Sequence, residues 1–318
     1  MDPLGSLAPG RLNAALAAGA LAVEVGPFRA RVRSNIAALS DHLLRHYADY
    51  PLVPPDEMAD FQLTLSTPGG LRRWYRRQVR FRYQAYEPFS PLPLDQAKHA
   101  FEWGFNWAIG AQGTRFLMLH AATVERGGQA IVLPAYSGSG KSTLCAALVH
   151  RGWRLLSDEF ALISLEDQAL YGLGRPISLK NESIAIVRRH FPAAEIGEVV
   201  AGTRKGTVGL LTPPEGSVLI GRAAMPRWVL APRYEPDATP DVIPVEKSKM
   251  AFYLSGQAFN YHVLGERGFR TLCSLVETCD CLALSYASLE EALELVDRAT
   301  APAVGTAKRA AQSAAGGL

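Results

Sequence analysis

Glycine, lysine and hydroxyl side chains lie close together between residues 135 and 143, where the sequence reads AYSGSGKST. A phosphate-binding loop needs glycines so that backbone N–H groups can turn inward, a lysine for the outer phosphates, and a hydroxyl for Mg²⁺. Ala135 stands where the first glycine is usual. We predict a loop that binds a nucleoside triphosphate, ATP or GTP, with a flexible structural turn as the alternative. The predicted binding residues are Ser137, Gly138, Ser139, Gly140, Lys141, Ser142 and Thr143.

Two adjacent carboxylates, Asp158 and Glu159, come at the end of the next predicted strand. Transfer of a phosphoryl group to an alcohol needs a carboxylate that accepts the proton, and Mg²⁺ to offset the phosphate charge. Asp158 is the preferred base because it directly ends that strand, and a structural cap is the alternative. Ser142 and Glu159 are the candidate Mg²⁺ ligands, unless Glu159 simply faces solvent.

His120 is a third candidate, and a predicted hairpin positions it. Strands over residues 116–124 and 129–134 are separated by Arg126, Gly127 and Gly128, which is typical of a tight antiparallel turn. The hairpin would bring His120 opposite residues 133–135, at the mouth of the loop. There it would hydrogen-bond Asp158 and orient it or shift its pKa. The alternative is a packed histidine without a functional role.

The loop itself lies between a predicted strand and a predicted helix. A helix over residues 141–150 ends at Gly152, and a strand follows over residues 153–157. A strand, helix, strand unit usually forms a right-handed parallel crossover, so both strands end at the same edge of the sheet. We therefore expect Asp158 and Glu159 beside the glycine loop.

The N-terminal residues predict a separate α+β region. Residues 28–32 and 61–66 alternate like strands, residues 37–47 have helical spacing, and a helix over residues 96–109 is expected with Asp95 as its cap. The run between Arg72 and Arg82 is rich in arginine, with Arg80 and Arg82 on the face opposite Val79, Phe81 and Tyr83. This face is either solvated or a docking site for an acidic peptide or protein.

The C-terminal part predicts a strand over residues 281–286 and a helix over residues 289–299, capped by Ser288 and Glu291. The expected organisation is an N-terminal region over residues 1–110, a catalytic domain over residues 111–300, and a disordered tail over residues 301–318. The tail contains Ala, Gly and Ser without a core-forming pattern.

The amino-acid composition indicates which classes of partner and which cellular compartment to expect. The formal net charge is +3 from 33 basic and 30 acidic residues, too balanced for a nucleic-acid binder. Cys145, Cys273, Cys279 and Cys281 suit a reducing cytosol, and the last two are expected as buried strand thiols rather than metal ligands. An alanine-rich stretch over residues 12–25 contains Asn13 and Glu24, which disfavours a signal peptide. We expect a cytoplasmic protein without membrane spans.

A family resemblance rests on four of these segments. His120, SGSGKST at 137–143, RGWRLLSDE at 151–159 and GLGRPISLKN at 172–181 resemble the HPr kinase/phosphorylase superfamily. The resemblance is closer to the bacterial HPr kinase-related proteins (kinase A type) found with small peptide-modification systems, and it covers about residues 113–300. It implies a P-loop-containing α/β catalytic domain with a mixed sheet, related to phosphoenolpyruvate carboxykinase.

The resemblance also implies roles. Lys141 and Ser142 would hold phosphate and Mg²⁺, Asp158 would be the catalytic base, and His120 would support it. Two departures are Ala135 and the lack of an evident acidic residue near Leu170 and Tyr171. The second leaves the metal ligands and any reverse phosphorylase activity open.

Together these observations favour an ATP-dependent, Mg²⁺-requiring serine kinase that acts on a small protein or peptide. The alternative is a nucleotide-binding regulatory or scaffold module that hydrolyses slowly or not at all. Arg175 and Lys180 would reach the nucleotide or substrate, or they are surface charges in a turn. A carboxykinase is disfavoured because no separate basic cluster is evident to hold a dicarboxylate.

Overall fold

The computed structural model describes residues 1–136, 138–218 and 221–301, and at Arg73 the backbone alone. The predicted binding residue Ser137 lies outside the described residues, as does the expected tail beyond residue 301. Within these ranges the chain is a mixed α/β protein with three sheets. None of the helices in the described ranges is long and apolar enough to cross a membrane.

The N-terminal region is a five-stranded sheet covered by three helices. Its strands lie in the order of the sequence, and β2 and β3 are parallel whereas the other neighbours are antiparallel. The elements are α1 (Pro9–Ala18), β1 (Leu21–Val25), β2 (Phe28–Ser34), α2 (Ala37–His46), β3 (Phe61–Ser66), β4 (Gln78–Tyr83), β5 (Leu92–Pro93) and α3 (Ala97–Gln112).

Alternation in β4 is confirmed, because Val79, Phe81 and Tyr83 are buried while Arg80 and Arg82 are exposed. Before this strand, Gly70–Arg73 form a 3-10 turn.

Asp95 does not cap α3. It lies inside a 3-10 turn, Leu94–Gln96, and that turn leads directly into the helix. Gln96 therefore occupies the capping position, without a side-chain hydrogen bond to the helix. At its other end α3 continues to Gln112, beyond the expected residue 109.

The second region surrounds a nine-stranded mixed sheet and a three-stranded sheet. Its first half contains β6 (Phe116–Leu119), β7 (Ala121–Arg126), β8 (Gln129–Pro134), α4 (Lys141–His150), β9 (Arg154–Ser157), β10 (Ala161–Ser164), β11 (Leu170–Tyr171), β12 (Ile177–Lys180) and α5 (Glu182–His190). Its second half contains β13 (Val200–Thr203), β14 (Gly206–Leu211), β15 (Ala223–Tyr234), β16 (Asp241–Pro244), α6 (Lys247–Ser255), α7 (Tyr261–Leu264), α8 (Glu266–Thr278), β17 (Asp280–Tyr286) and α9 (Leu289–Thr300).

The strands around the glycine loop lie in the order β8, β7, β9. Strand β7 is antiparallel to both neighbours, so β8 and β9 run in the same direction but are not adjacent. The expected parallel orientation is therefore confirmed, with the difference that the connection through α4 passes over β7. Because β7 begins at the edge where β8 and β9 end, three chain segments meet there.

The predicted first strand of the hairpin is split at His120. Strand β6 pairs with β10, whereas β7 forms the predicted hairpin with β8, with Ala121 opposite Pro134. The backbone N–H of His120 donates instead to the carbonyl of Gln257 at 2.8 Å. His120 therefore lies between two strands and belongs to neither of them.

A hydrophobic core joins the two regions. Buried residues of the N-terminal sheet and helices pack in one cluster with Phe116, Met118, Phe160, Leu162 and Leu173. The proposed division at residue 110 falls within α3, and the division into domains stays a prediction.

The C-terminal predictions are confirmed. Ser288 and Glu291 form a reciprocal capping box at the start of α9, with Glu291 N–H to Ser288 Oγ at 3.2 Å. Cys279 and Cys281 are buried thiols beside and within β17. Residues 12–25 fold into α1 and β1, where Leu12 and Leu16 belong to the core.

Candidate functional site

The glycine loop ends directly at the N-terminus of α4. Gly138 and Gly140 have φ values of 94° and 85°, a region that L-amino acids with side chains rarely adopt. A Cβ at Gly140 would also lie 3.1 Å from the hydroxyl of Tyr286. The first turn of a helix leaves backbone N–H groups without helical partners, and these attract anions. The loop thus places two glycines of left-handed conformation at the N-terminus of α4.

Lys141, the first residue of α4, is only 8% exposed. Its ammonium group has no hydrogen-bond partner among the described residues. Burial lowers the pKa of Lys141, and the charges of Asp158 and Glu159 act in the opposite direction. A buried ammonium without a partner is costly, so this position suits an anionic ligand.

Asp158 follows β9 and is 5% exposed. Its Oδ2 accepts hydrogen bonds from the Ser142 hydroxyl at 3.2 Å and from the backbone N–H of Ser178 at 3.1 Å. Within the described ranges, its Oδ1 has no partner. Burial and the neighbouring Glu159 raise the pKa of Asp158 to about 6. One carboxylate oxygen is thus fixed by two hydrogen bonds, while the other is buried without one.

Glu159 lies in the wall of the cavity and is surrounded by cations. Burial alone would raise its pKa, but Lys205, Lys141, Lys180 and His120 together hold it below its usual range. The carboxyl group of Glu159 therefore favours its ionised form beside the loop.

The predicted hydrogen bond from His120 to Asp158 is not among the contacts of the described residues, where only Ser142 and Ser178 donate to Asp158. The His120 ring instead meets the edge of Phe259, with ring centroids 5.8 Å apart. Burial and the charge of Lys141 lower the pKa of His120 to about 4, so the imidazole is neutral near pH 7. His120 nevertheless lies in the wall of the same cavity.

A cavity of about 1030 Å³ opens over the loop. This volume is at the upper end of the range for small-molecule sites, which is roughly 300–1,000 Å³. The described loop residues that line it include Gly138, Gly140, Lys141, Ser142 and Thr143. Another part of its wall contains Lys180, Arg204 and Lys205.

The basic residues Arg204 and Lys205 were missed in the sequence. They occupy the turn between β13 and β14, far along the chain from the glycine loop. The structure thus adds basic residues to the cavity wall, and the expectation against a carboxykinase stays a prediction. The only signal in the sequence was the pair RK before Gly206, and residue order alone does not bring that turn to the loop.

Arg175 is not part of the cavity wall, and it is only 7% exposed. Its guanidinium forms an ion pair with Glu102 at 2.5 Å, donates to the Tyr47 hydroxyl at 3.1 Å and lies 4.7 Å from the ring centroid of Phe105. The expectation of a surface charge at Arg175 is wrong, since the buried guanidinium anchors the second region to α2 and α3, whereas a contact with the nucleotide or the substrate stays a prediction. Lys180 lines the cavity, and its contact with a nucleotide or substrate stays a prediction.

Comparison with known proteins finds partial likenesses. The family model of the SynChlorMet cassette protein ScmC matches residues 108–175, a segment that contains the glycine loop and Asp158. No curated protein matches the chain. Among 25 matching chains of solved structures is the HPr(Ser) kinase/phosphatase from Coxiella burnetii. It is 12% identical with a TM-score of 0.26, and the match covers 57% of this chain and 96% of that chain.

Proposed function

We propose that this protein is an ATP-dependent, Mg²⁺-requiring kinase that transfers the terminal phosphoryl group to a hydroxyl, namely a serine of a small protein or peptide. One observation carries the proposal. Two buried charged groups, Lys141 and Asp158, each have an atom without a partner among the described residues, and both groups adjoin Ser142 at the glycine loop. In a purely structural turn, burying two charged groups without full sets of partners would only destabilise the fold.

The nucleotide phosphates would lie against the glycine loop. Positive φ values at Gly138 and Gly140, the N-terminus of α4 and the ammonium of Lys141 all favour an anion at one position. The adjoining cavity is large enough for the rest of a nucleotide.

Magnesium would be held by Ser142 and Glu159, which offer the oxygen ligands that this ion prefers. No group of three His, Cys, Asp or Glu side chains able to hold a metal occurs in the described parts of the chain. This suits Mg²⁺, since it usually takes most of its ligands from phosphates and water. When bound, the ion offsets the negative charge of the phosphates.

Asp158 acts as the base in the proposed reaction. Its free Oδ1 takes the proton of the acceptor hydroxyl, whose oxygen forms the new bond to the terminal phosphorus. The bond between that phosphorus and the bridging oxygen breaks, and ADP leaves with the electron pair. A pKa of about 6 keeps Asp158 ionised near pH 7 yet basic enough to accept a proton.

The acceptor would dock on the N-terminal region. Arg80 and Arg82 project from the exposed face of β4, where guanidinium groups can pair with acidic side chains of a peptide. Arg80 has a single distant ion pair there, with Glu87 at 3.9 Å. The exposed face of β4 therefore has positive charge available for an acidic partner.

The test incubates the full chain with Mg²⁺, ATP labelled on the terminal phosphate, and short peptides encoded beside its gene. We expect label on a peptide serine. In the Asp158→Asn variant, transfer should fall about 100-fold or more while nucleotide affinity is kept. Asp297→Asn is the matched control, because Asp297 is 56% exposed on α9.

Two results would contradict the proposal. Label that leaves ATP only as free phosphate would refute the kinase activity. An Asp158→Asn variant with unchanged turnover would instead support a nucleotide-binding module in which this carboxylate has no chemical role.

A further inference from the structure

Two lysines reach the cavity from the three-stranded sheet, which has the order β12, β14, β13. Lys180 is the last residue of β12 and lies opposite Val208 of β14. Lys205 lies in the turn that joins β13 to β14. The pairing of β12 with β14 thus brings two cations from distant parts of the sequence to one wall of the cavity.

Asn181 fastens this turn beside Lys180. Its backbone N–H donates to the Thr207 carbonyl at 2.9 Å, and its side-chain oxygen accepts from the Thr207 N–H at 3.0 Å. Within the turn, the Thr203 hydroxyl donates to the Gly206 carbonyl and accepts from the Lys205 N–H. The backbones that carry Lys180 and Lys205 are therefore fixed relative to each other.

The charges of these lysines are not neutralised by direct contacts. Across the described residues, neither ammonium group makes a hydrogen bond or an ion pair, although Lys205 lies 5.3 Å from the ring centroid of Trp103. The charges of Glu159 and Asp158 act to raise the pKa of Lys205, whereas Lys180 lowers it. Burial has the largest part in that lowering.

Lys141 belongs to the same group, because Lys180 also lowers its pKa. Lys141, Lys180 and Lys205 thus line one cavity, whose wall also contains the carboxylates of Glu159, Glu182 and Glu290. Like charges brought together in a partly buried site repel each other, and an anion between them removes that cost.

We propose that Lys180 and Lys205 bind the terminal phosphoryl group of the nucleotide, with Lys141, and hold it during transfer. The proposal rests on the proposed function, which supplies the nucleotide. Charge on a transferred phosphoryl group spreads over its three outer oxygens, and fixed cations around these oxygens stabilise it. Lys180 and Lys205 would therefore distinguish ATP from ADP.

The test measures the affinities of the full chain for fluorescent ATP and ADP analogues with Mg²⁺. In Lys180→Met and Lys205→Met variants, ATP affinity should fall roughly 10-fold or more while ADP affinity stays nearly constant, because a charge-assisted hydrogen bond is lost. Lys205→Arg should retain part of the preference for ATP. Lys249→Met is the control, since Lys249 is 71% exposed on α6.

The outcomes separate the two proposals. Equal loss for both nucleotides, or no loss, in variants with native circular dichroism overturns the role of Lys180 and Lys205 alone. A selective loss for ATP in a chain that never phosphorylates an acceptor supports that role and refutes the kinase. A wild-type chain that binds neither nucleotide refutes both.

Discussion

The Ser142 hydroxyl donates a hydrogen bond to Asp158 Oδ2 at 3.2 Å, across 16 positions of sequence. This bond joins the first turn of α4 to the end of β9, the two segments that the crossover over β7 brings together. It fixes the rotation of the carboxylate and leaves Oδ1 without a partner among the described residues. The carboxylate is therefore held in place by one oxygen, while the other is buried without a hydrogen-bond partner in the described part of the chain.

Asp158→Asn should stabilise the ligand-free protein. The folded state raises the pKa of Asp158 from 3.8 to about 6, so ionisation opposes folding. The free-energy cost of folding with an ionised Asp158 grows as the pH rises from about 4 to about 6. Above about pH 6 it is constant at roughly 3 kcal/mol at most, since one pKa unit corresponds to about 1.36 kcal/mol. Urea denaturation of both proteins at pH 4 and pH 7.5 checks this. The prediction would be contradicted if the difference in unfolding free energy between the variant and the wild type were the same at pH 4 and pH 7.5.

Turnover should decrease below about pH 6. Asp158 must be ionised to accept a proton, and its pKa of about 6 sets the acidic limb of kcat/KM, which reports on the free enzyme. His120 has a pKa of about 4 and is already neutral in this range. A His120→Asn variant should therefore keep the limb at the same pH, even if its rate differs. If the acidic limb of the pH profile moved in the His120→Asn variant, the titrating group would be His120 rather than Asp158.

Arg175→Met should destabilise the whole protein. It leaves the buried Glu102 carboxylate with only His42 and Tyr47 as partners, and removing one member of a buried ion pair costs roughly 3–5 kcal/mol. Arg270→Met is the control, because its pair with Glu266 is exposed and should contribute less than about 1 kcal/mol. Denaturant midpoints compare the two. Similar midpoints would mean that Arg175 does not join the two regions energetically.

Gly206→Ala should weaken ATP binding through Lys205. A Cβ at Gly206 would lie 2.4 Å from Asn181 Oδ1, so the turn must move, in addition to the strain of its φ of 84°. Gly202→Ala is a matched control with a φ of 70° and open space around its Cβ. The control should cost only about 1–2 kcal/mol of stability, from the left-handed backbone. Equal ATP affinities in the two variants would show that the turn does not position Lys205.

The local elements could be predicted from sequence because their signals are local. Alternation in β4, the glycine turn before Lys141 and the capping box of α9 each depend on residues a few positions apart. The proximity of the loop and Asp158 could also be predicted, since a strand, helix, strand unit has one strongly favoured arrangement. The cap expected at Asp95 was wrong because a 3-10 turn competes at that position.

Other parts of the site depend on contacts between distant segments. Residue order alone does not reveal that Arg175 pairs with Glu102, that β6 breaks at His120, or that Lys205 reaches the cavity. Each of these is set by which strands pair and which surfaces are buried together, and that is decided by packing over the whole chain. The sequence by itself thus determined the glycine turn before α4 and the carboxylate that lies beside it. Only the tertiary structure decided which charges surround them, because a charge acts through distance in space and not along the chain.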